Sequence, residues 1–87
     1  MEKEKFMNNT IGVIGLGYVG LPLAVEFAKQ YNVVGFDTDK SRVNELTNGF
    51  DRTNEVGKND LLDKVNLKLS SDLKSLNSVD IYIITVP

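Results

Sequence analysis

The sequence has no cysteine, no histidine and no tryptophan, and only two prolines. Without cysteine there is no disulfide, no thiolate nucleophile and no thiolate metal site; without histidine the commonest metal ligand and general base is missing too. No catalytic residue and no metal site are expected in this chain. A dominant charge is also lacking: ten Lys and Arg against twelve Asp and Glu leave a formal net charge of −2. No basic block stands out, which argues against attraction to nucleic acid or to an anionic membrane, so neither is expected as a partner. The uncharged run over residues 11–25 falls short of the roughly 20 residues of a membrane span, and glycines and Pro22 interrupt it. The opening MEKEKFMNN mixes acids with lysines and leads into no cleavage site, so it does not read as a signal peptide. Residues 1–9 are expected to be a flexible segment before a domain at 10–87, and a cytoplasmic location fits best. A chain of 87 residues bounds one small domain with a modest core.

What the chain does have is a glycine cluster in a telling place. The apolar run over residues 11–14 meets Gly15, Gly17 and Gly20, and an apolar helical pattern follows from Leu21. Strand, tight turn and helix joined by G-x-G-x-x-G is the dinucleotide-binding pattern, and each glycine has its own task in it. Gly15 lets the chain turn off the strand, Gly17 lets a pyrophosphate approach the backbone, and Gly20 lets the helix pack closely. Pro22 falls in the first helical turn, where a missing N–H costs little. The helix start offers unpaired N–H groups and the positive end of its dipole to a diphosphate. A second strand over residues 32–36 ends in Asp37, seventeen positions after Gly20. That is close to the roughly twenty residues expected for the acid that takes the adenosine ribose hydroxyls, and an acid there favours NAD over NADP. The bland alternative is a βα turn without a ligand, with Asp37 capping a helix.

The remaining chain alternates in the same way. Residues 10–14 read as a strand buried on both faces, and a helix follows from Tyr18 or Val19 to Gln30. Ala24, Phe27, Ala28 and Tyr31 lie on its inner face, and Lys29 falls in its last turn. Asp39 or Thr38 caps the next helix, Val43 and Leu46 face inward, and Asn48-Gly49 stops it. Arg42 in this helix reads, on composition alone, as a solvated side chain. Residues 50–59 are polar and aperiodic and form a loop. Asn59 or Asp60 caps a short helix with Leu61, Leu62 and Val65, and residues 66–70 alternate as a third strand. Ser71 or Asp72 caps a brief helix with Leu73 and Leu76, and residues 79–86, VDIYIITV, form a fourth strand rich in β-branched and aromatic residues. The expected fold is α/β, a Rossmann-type doubly wound parallel sheet in the order 3-2-1-4, forming the N-terminal part of a larger domain. The outer edge of the last strand is then apolar and unpaired.

Taken together, IGVIGLGYVGLPLAVEFA, VVGFDTDKSRVNELTNGFDRTNEV and DIYIITVP resemble the N-terminal NAD-binding domain of the UDP-glucose/GDP-mannose dehydrogenase family. Within it, NG-x-DRTNEV is most similar to the bacterial UDP-N-acetylglucosamine and UDP-N-acetylgalactosamine 6-dehydrogenases of surface polysaccharide and capsule biosynthesis. The resemblance implies an NAD-dependent, two-step oxidation of the sugar C6 alcohol to a carboxylate through a cysteine-bound thiohemiacetal and thioester. It places the catalytic cysteine and its helpers beyond Pro87, so this chain alone is expected to be inactive. It implies that Gly15, Leu16, Gly17, Tyr18, Val19 and Gly20 hold the pyrophosphate, that Asp37 binds the ribose, that Arg42 contacts the adenosine side, and that Val86 lies beside the cofactor. NAD and a UDP-sugar are the implied ligands and a homodimer the implied assembly. Two other readings stay open on the residues: a non-enzymatic NAD-sensing domain, which would use the same loop, and an S-adenosylmethionine-dependent methyltransferase. Spacing assigns no role to DRTNEV.

Overall fold

Strand segments with no polar side chain must be covered on both faces, and residues 11–14 and 33–36, at the centre of this sheet, are of that kind. The computed structural model describes residues 9–62 and 66–85. Its elements are β1 (Thr10–Ile14), α1 (Gly20–Phe27), β2 (Asn32–Phe36), α2 (Lys40–Thr47), α3 (Lys58–Leu62), β3 (Leu67–Ser70), a 3₁₀ helix (Leu73–Leu76) and β4 (Ile81–Ile84). The four strands are parallel, in the order β3-β2-β1-β4, with Ile11 opposite Val33 on one side and Ile81 on the other. The expected α/β doubly wound sheet is the one observed.

Handedness explains which face each helix takes. The steps β1 to β2 and β2 to β3 move in one direction across the sheet, so their right-handed crossovers lie on one face; the step from β3 back to β4 reverses and crosses on the other. Ile11, Val13 and Val33 accordingly pack under Leu21, Ala24, Val25, Ala28, Leu46 and Leu61, whereas Val34 and Phe36 pack with Leu76 and Val79 on the thinner side. Leu16, Leu21 and Leu46 are fully buried, each contributing about 2 kcal/mol of apolar burial. The reversal leaves a crevice at the carboxyl ends of β1 and β4, the switch point where ligands bind in open α/β sheets.

Several boundaries differ from the expected ones. The glycine loop runs on through Val19, so α1 begins at Gly20 and ends at Phe27. Beyond it Lys29 and Gln30 donate three residues back, to Glu26 and Phe27, a tightened final turn. Lys29 is therefore outside the helix, in an exposed ion pair with Glu26 at 3.1 Å that contributes little. Asp39 caps α2, accepting from the Ser41 and Arg42 amides, and Gly49 ends it at φ +86°. Its carboxyl sits below its ordinary value because the Ser41 hydroxyl and the Arg42 amide donate to it. α3 opens at Lys58, with Asp60 in its first turn, where a carboxylate suits the dipole; Val65 lies outside the described residues. β3 starts one residue late, although the Asn66 carbonyl still accepts from Val33 N–H at 2.8 Å. β4 is limited by its five-residue partner β1: Asp80 N–H to Thr10 O and Thr85 N–H to Ile14 O close the two ends of the ladder. Val79 is then a buried residue before the strand, and Val86 lies outside the described residues, as does the segment expected to be flexible, apart from Asn9. Ile81, Tyr82 and Ile84 are exposed on β4, which pairs with β1 alone among the described residues.

The polar stretch after Gly49 is the least regular part of the chain, and one carboxylate orders it. Asp51, with no exposed side-chain surface, accepts from the Thr53 amide and hydroxyl and from Arg42 Nη1 on Oδ1, and from the Glu55 and Val56 amides on Oδ2. Residues 51–56 are wound around it, with Asn54 at φ +57°, which asparagine tolerates. Burial alone would raise the Asp51 carboxyl, but the hydrogen bonds from Thr53, Arg42 and the Val56 amide outweigh it and hold it from its ordinary 3.8 down to about 2. A depressed folded-state value means that this stabilisation is present above pH 3.8 and is lost as pH falls through about 2. The shift corresponds to about 2 kcal/mol. Thermal melts of Asp51→Asn should show that loss at neutral pH and a flatter decline between pH 4 and pH 2 than the unsubstituted chain. Parallel acid limbs would contradict the assignment.

Candidate functional site

The chain leaves β1 through Gly15, whose φ of +100° lies where residues with a Cβ are strained. Gly15 N–H donates to Phe36 O at 2.8 Å, extending the β1–β2 ladder by one bond before the backbone turns away. Leu16 drives its side chain into the core and anchors the loop. Gly20 sits directly on the turn: a Cβ there would collide with Gly15 O and meet Thr85 Oγ1 at 2.7 Å. The close approach expected of this glycine is thus made against the turn and the end of β4.

Between those contacts the loop is open. Gly17, Tyr18 and Val19 are exposed, and among the described residues none of their backbone N–H groups donates a hydrogen bond. Nothing lies within 4 Å of a Cβ built on Gly17. A cavity of about 370 Å³ is lined by Gly15, Leu16, Gly17, Tyr18, Val19, Gly20, Asp37 and Thr85. Free N–H groups at a helix start, a glycine whose missing side chain leaves room, and a carboxylate at the rim suit a diphosphate flanked by a ribose. These residues fit NAD.

Asp37, half-buried at the end of β2, has both oxygens engaged: Oδ2 accepts from Leu16 N–H at 2.9 Å and Oδ1 from Asp39 N–H at 3.0 Å. Each oxygen keeps a lone pair for a further donor. Helix capping, the bland reading of Asp37, falls to Asp39 instead.

Arg42 is 6 % exposed, so it is not a solvated side chain. It lies behind the loop: Nε donates to Leu16 O at 2.8 Å, and Nη1 donates to Asp51 at 2.8 Å and Glu45 at 3.1 Å. Nη2 is buried without a partner among the described residues. Glu45 also accepts from Arg52 Nε at 2.6 Å, a bond that, with Arg42, holds its carboxyl below the ordinary range and raises Arg52. Arg52, Glu45, Arg42 and Asp51 thus form a chain of alternating charge. Eight residues lining one cavity include seven of those singled out in the sequence; Arg42 is not among them.

Thr85 is the lining residue that sequence reasoning missed. Its Oγ1 lies 3.1 Å from Ile14 O and 3.0 Å from Gly15 O, tying β4 to the glycine turn. The available signal was a hydroxyl at the carboxyl end of the expected strand, directly after Ile83 and Ile84.

Comparison with known proteins agrees with this geometry. Residues 9–87 match the model of the UDP-glucose/GDP-mannose dehydrogenase family, NAD binding domain. The chain is 49% identical over 81 residues to Protein CapL of Staphylococcus aureus, covering 93% of this chain and 19% of that relative. It is 51% identical over 77 residues to the UDP-N-acetyl-D-glucosamine 6-dehydrogenase of Salmonella typhi, covering 88% and 18%. The solved structure of a UDP-D-ManNAc dehydrogenase from Pyrococcus horikoshii superposes with a TM-score of 0.81 at 32% identity, over 88% of this chain and 20% of that one. The chain therefore spans about a fifth of the length of the curated relatives it matches. With the fold, the glycine loop and the family match in agreement, this chain belongs to the UDP-glucose/GDP-mannose dehydrogenase family and carries its NAD-binding domain.

Proposed function

We propose that this chain is the cofactor-binding part of a UDP-N-acetylhexosamine 6-dehydrogenase, which oxidises the C6 alcohol of its sugar to a carboxylate. NAD accepts the electrons when bound. The observation that carries the reading is that residues 17–19, whose N–H groups donate to no described residue, line one cavity with Asp37. In it the loop amides bind the pyrophosphate, Gly17 admits it, and Asp37 takes the ribose hydroxyls and repels a 2′-phosphate. The similarity to enzymes named for UDP-N-acetyl-D-glucosamine supports an N-acetylhexosamine as substrate, and the family resemblance supports a place in capsule polysaccharide synthesis. The charge balance supports a chain without nucleic-acid or membrane partners, and the family resemblance supports a cytoplasmic homodimer, an adenosine-side contact for Arg42 and Val86 as a cofactor-binding residue. No helix among the described residues is long and apolar enough to cross a membrane.

Thermal melts with millimolar NAD, NADP or S-adenosylmethionine test the reading. A ligand bound only by the native state adds about 2.7 kcal/mol of stability at a hundredfold excess over Kd. The melting temperature should rise with NAD and not with the other two, and Asp37→Ala should abolish the rise. A response to S-adenosylmethionine alone would make the chain a methyltransferase domain, and indifference to all three would sink the binding reading.

Gly17→Val gives a sharper check on the loop. A Cβ at this position has no atom within 4 Å, so the unliganded melting temperature should move by no more than a few degrees while the NAD response disappears. An unimpaired response would place the pyrophosphate elsewhere.

A further inference from the structure

The turn at residues 51–56 contributes nothing to the cavity wall, yet one side chain connects the two. Asp51 and Glu45 hold Arg42 Nη1, and Nε of the same guanidinium donates to the Leu16 carbonyl. A guanidinium is planar and rigid, so fixing Nη1 fixes where Nε points. The Leu16 carbonyl and the Gly17 N–H belong to one trans peptide group and point in opposite directions. Drawing the carbonyl inward onto Arg42 therefore turns the Gly17 N–H outward, toward the cavity, where no described residue accepts it. The orientation of one of the amides that would meet the diphosphate is thus set from behind the loop.

We infer that Arg42 and Asp51 are positioning residues for the cofactor: Asp51, held by the amides and hydroxyl of its own turn, aims the Arg42 guanidinium at Leu16 O and so presents the Gly17 N–H to the pyrophosphate. The functional half of this inference rests on the NAD reading of the loop and deepens it. It gives residues 51–56 the role of a remote determinant of cofactor affinity. The arrangement is over-determined in a way a simple helix contact is not. Arg42 carries a permanent charge at 6 % exposure and cannot stay there without its carboxylates. Asp51 is itself fixed by four bonds from Thr53, Glu55 and Val56, so the guanidinium has one orientation. Glu45 alone does not suffice, because it is shared with the exposed Arg52.

The test combines proton–nitrogen NMR spectra of the chain with calorimetric titration by NAD. Asp51→Asn keeps the shape of the side chain and removes the charge; it should displace the Leu16 and Gly17 amide resonances without ligand and weaken NAD binding roughly tenfold. Leu61→Ala, a core substitution of comparable cost to stability, should leave the Gly17 resonance and the NAD affinity unmoved. Arg42→Lys supplies the same reading should Asp51→Asn not fold, because a point charge cannot serve Asp51 and Leu16 O together in fork geometry. Double substitution should weaken binding no more than Arg42→Lys alone. A Gly17 resonance indifferent to both variants would overturn the inference. So would an Arg42→Lys loss of affinity that Asp51→Asn does not share, since Asp51 would then set nothing through Arg42. Displacement of the Gly17 resonance without NAD binding by any form would support the positioning and refute the NAD reading.

Discussion

The two peptide groups flanking Leu16 are held by charges of opposite sign. Asp37 takes the Leu16 N–H at 2.9 Å and Arg42 donates to the Leu16 carbonyl at 2.8 Å, while the Leu16 side chain is sunk in the core. Three anchors on one residue leave the glycines before and after it little freedom, although glycine is the most permissive residue. The loop needs that freedom only to reach its conformation: Gly15 at positive φ, Gly20 against the turn. Once there it is pinned, so its amides are preorganised rather than gathered by the ligand, which reduces the ordering cost of binding.

The side chains that hold the glycine turn and its loop each arrive by a different crossover. Asp37 arrives at the end of β2 because the first crossover lays that strand beside β1; Arg42 arrives one turn into α2 because the second begins there, with Asp39 capping its start. Thr85 arrives at the end of β4 because the chain reverses direction across the sheet. The site is therefore a property of the sheet order, and its integrity is tied to domain stability. The buried ion pair shows the cost of that coupling. Arg42 and Asp51 contribute through their mutual satisfaction: removing Arg42 leaves Asp51 buried without a countercharge, and removing Asp51 leaves Arg42 with a Glu45 that it shares with Arg52.

Much of this was legible in the residues. Continuous apolar strands, glycines at fixed offsets and an acid ending β2 each answer to a local rule, and they place the sheet order, the cavity loop and Asp37 correctly. Boundaries were less legible where tertiary pairing decides them: α1 tightens after Phe27 and β4 stops where β1 ends. Least legible were contacts between distant segments. Nothing in the spacing of Arg42 and Asp51 says that one will be buried against the other, because a charged residue in a polar loop reads as solvated until its partners are known. Thr85 was passed over for the same reason: its hydroxyl matters only because β4 lies next to β1.

The most direct test of the account is an amide-resolved NMR titration of the unsubstituted chain with NAD. The account predicts that the largest saturable shifts fall on the Gly17, Tyr18 and Val19 amides, with smaller ones at Asp37 and Thr85, and that the outer surface of α2 stays silent. Shifts centred away from the glycine loop, or no saturable shift at all, would contradict it.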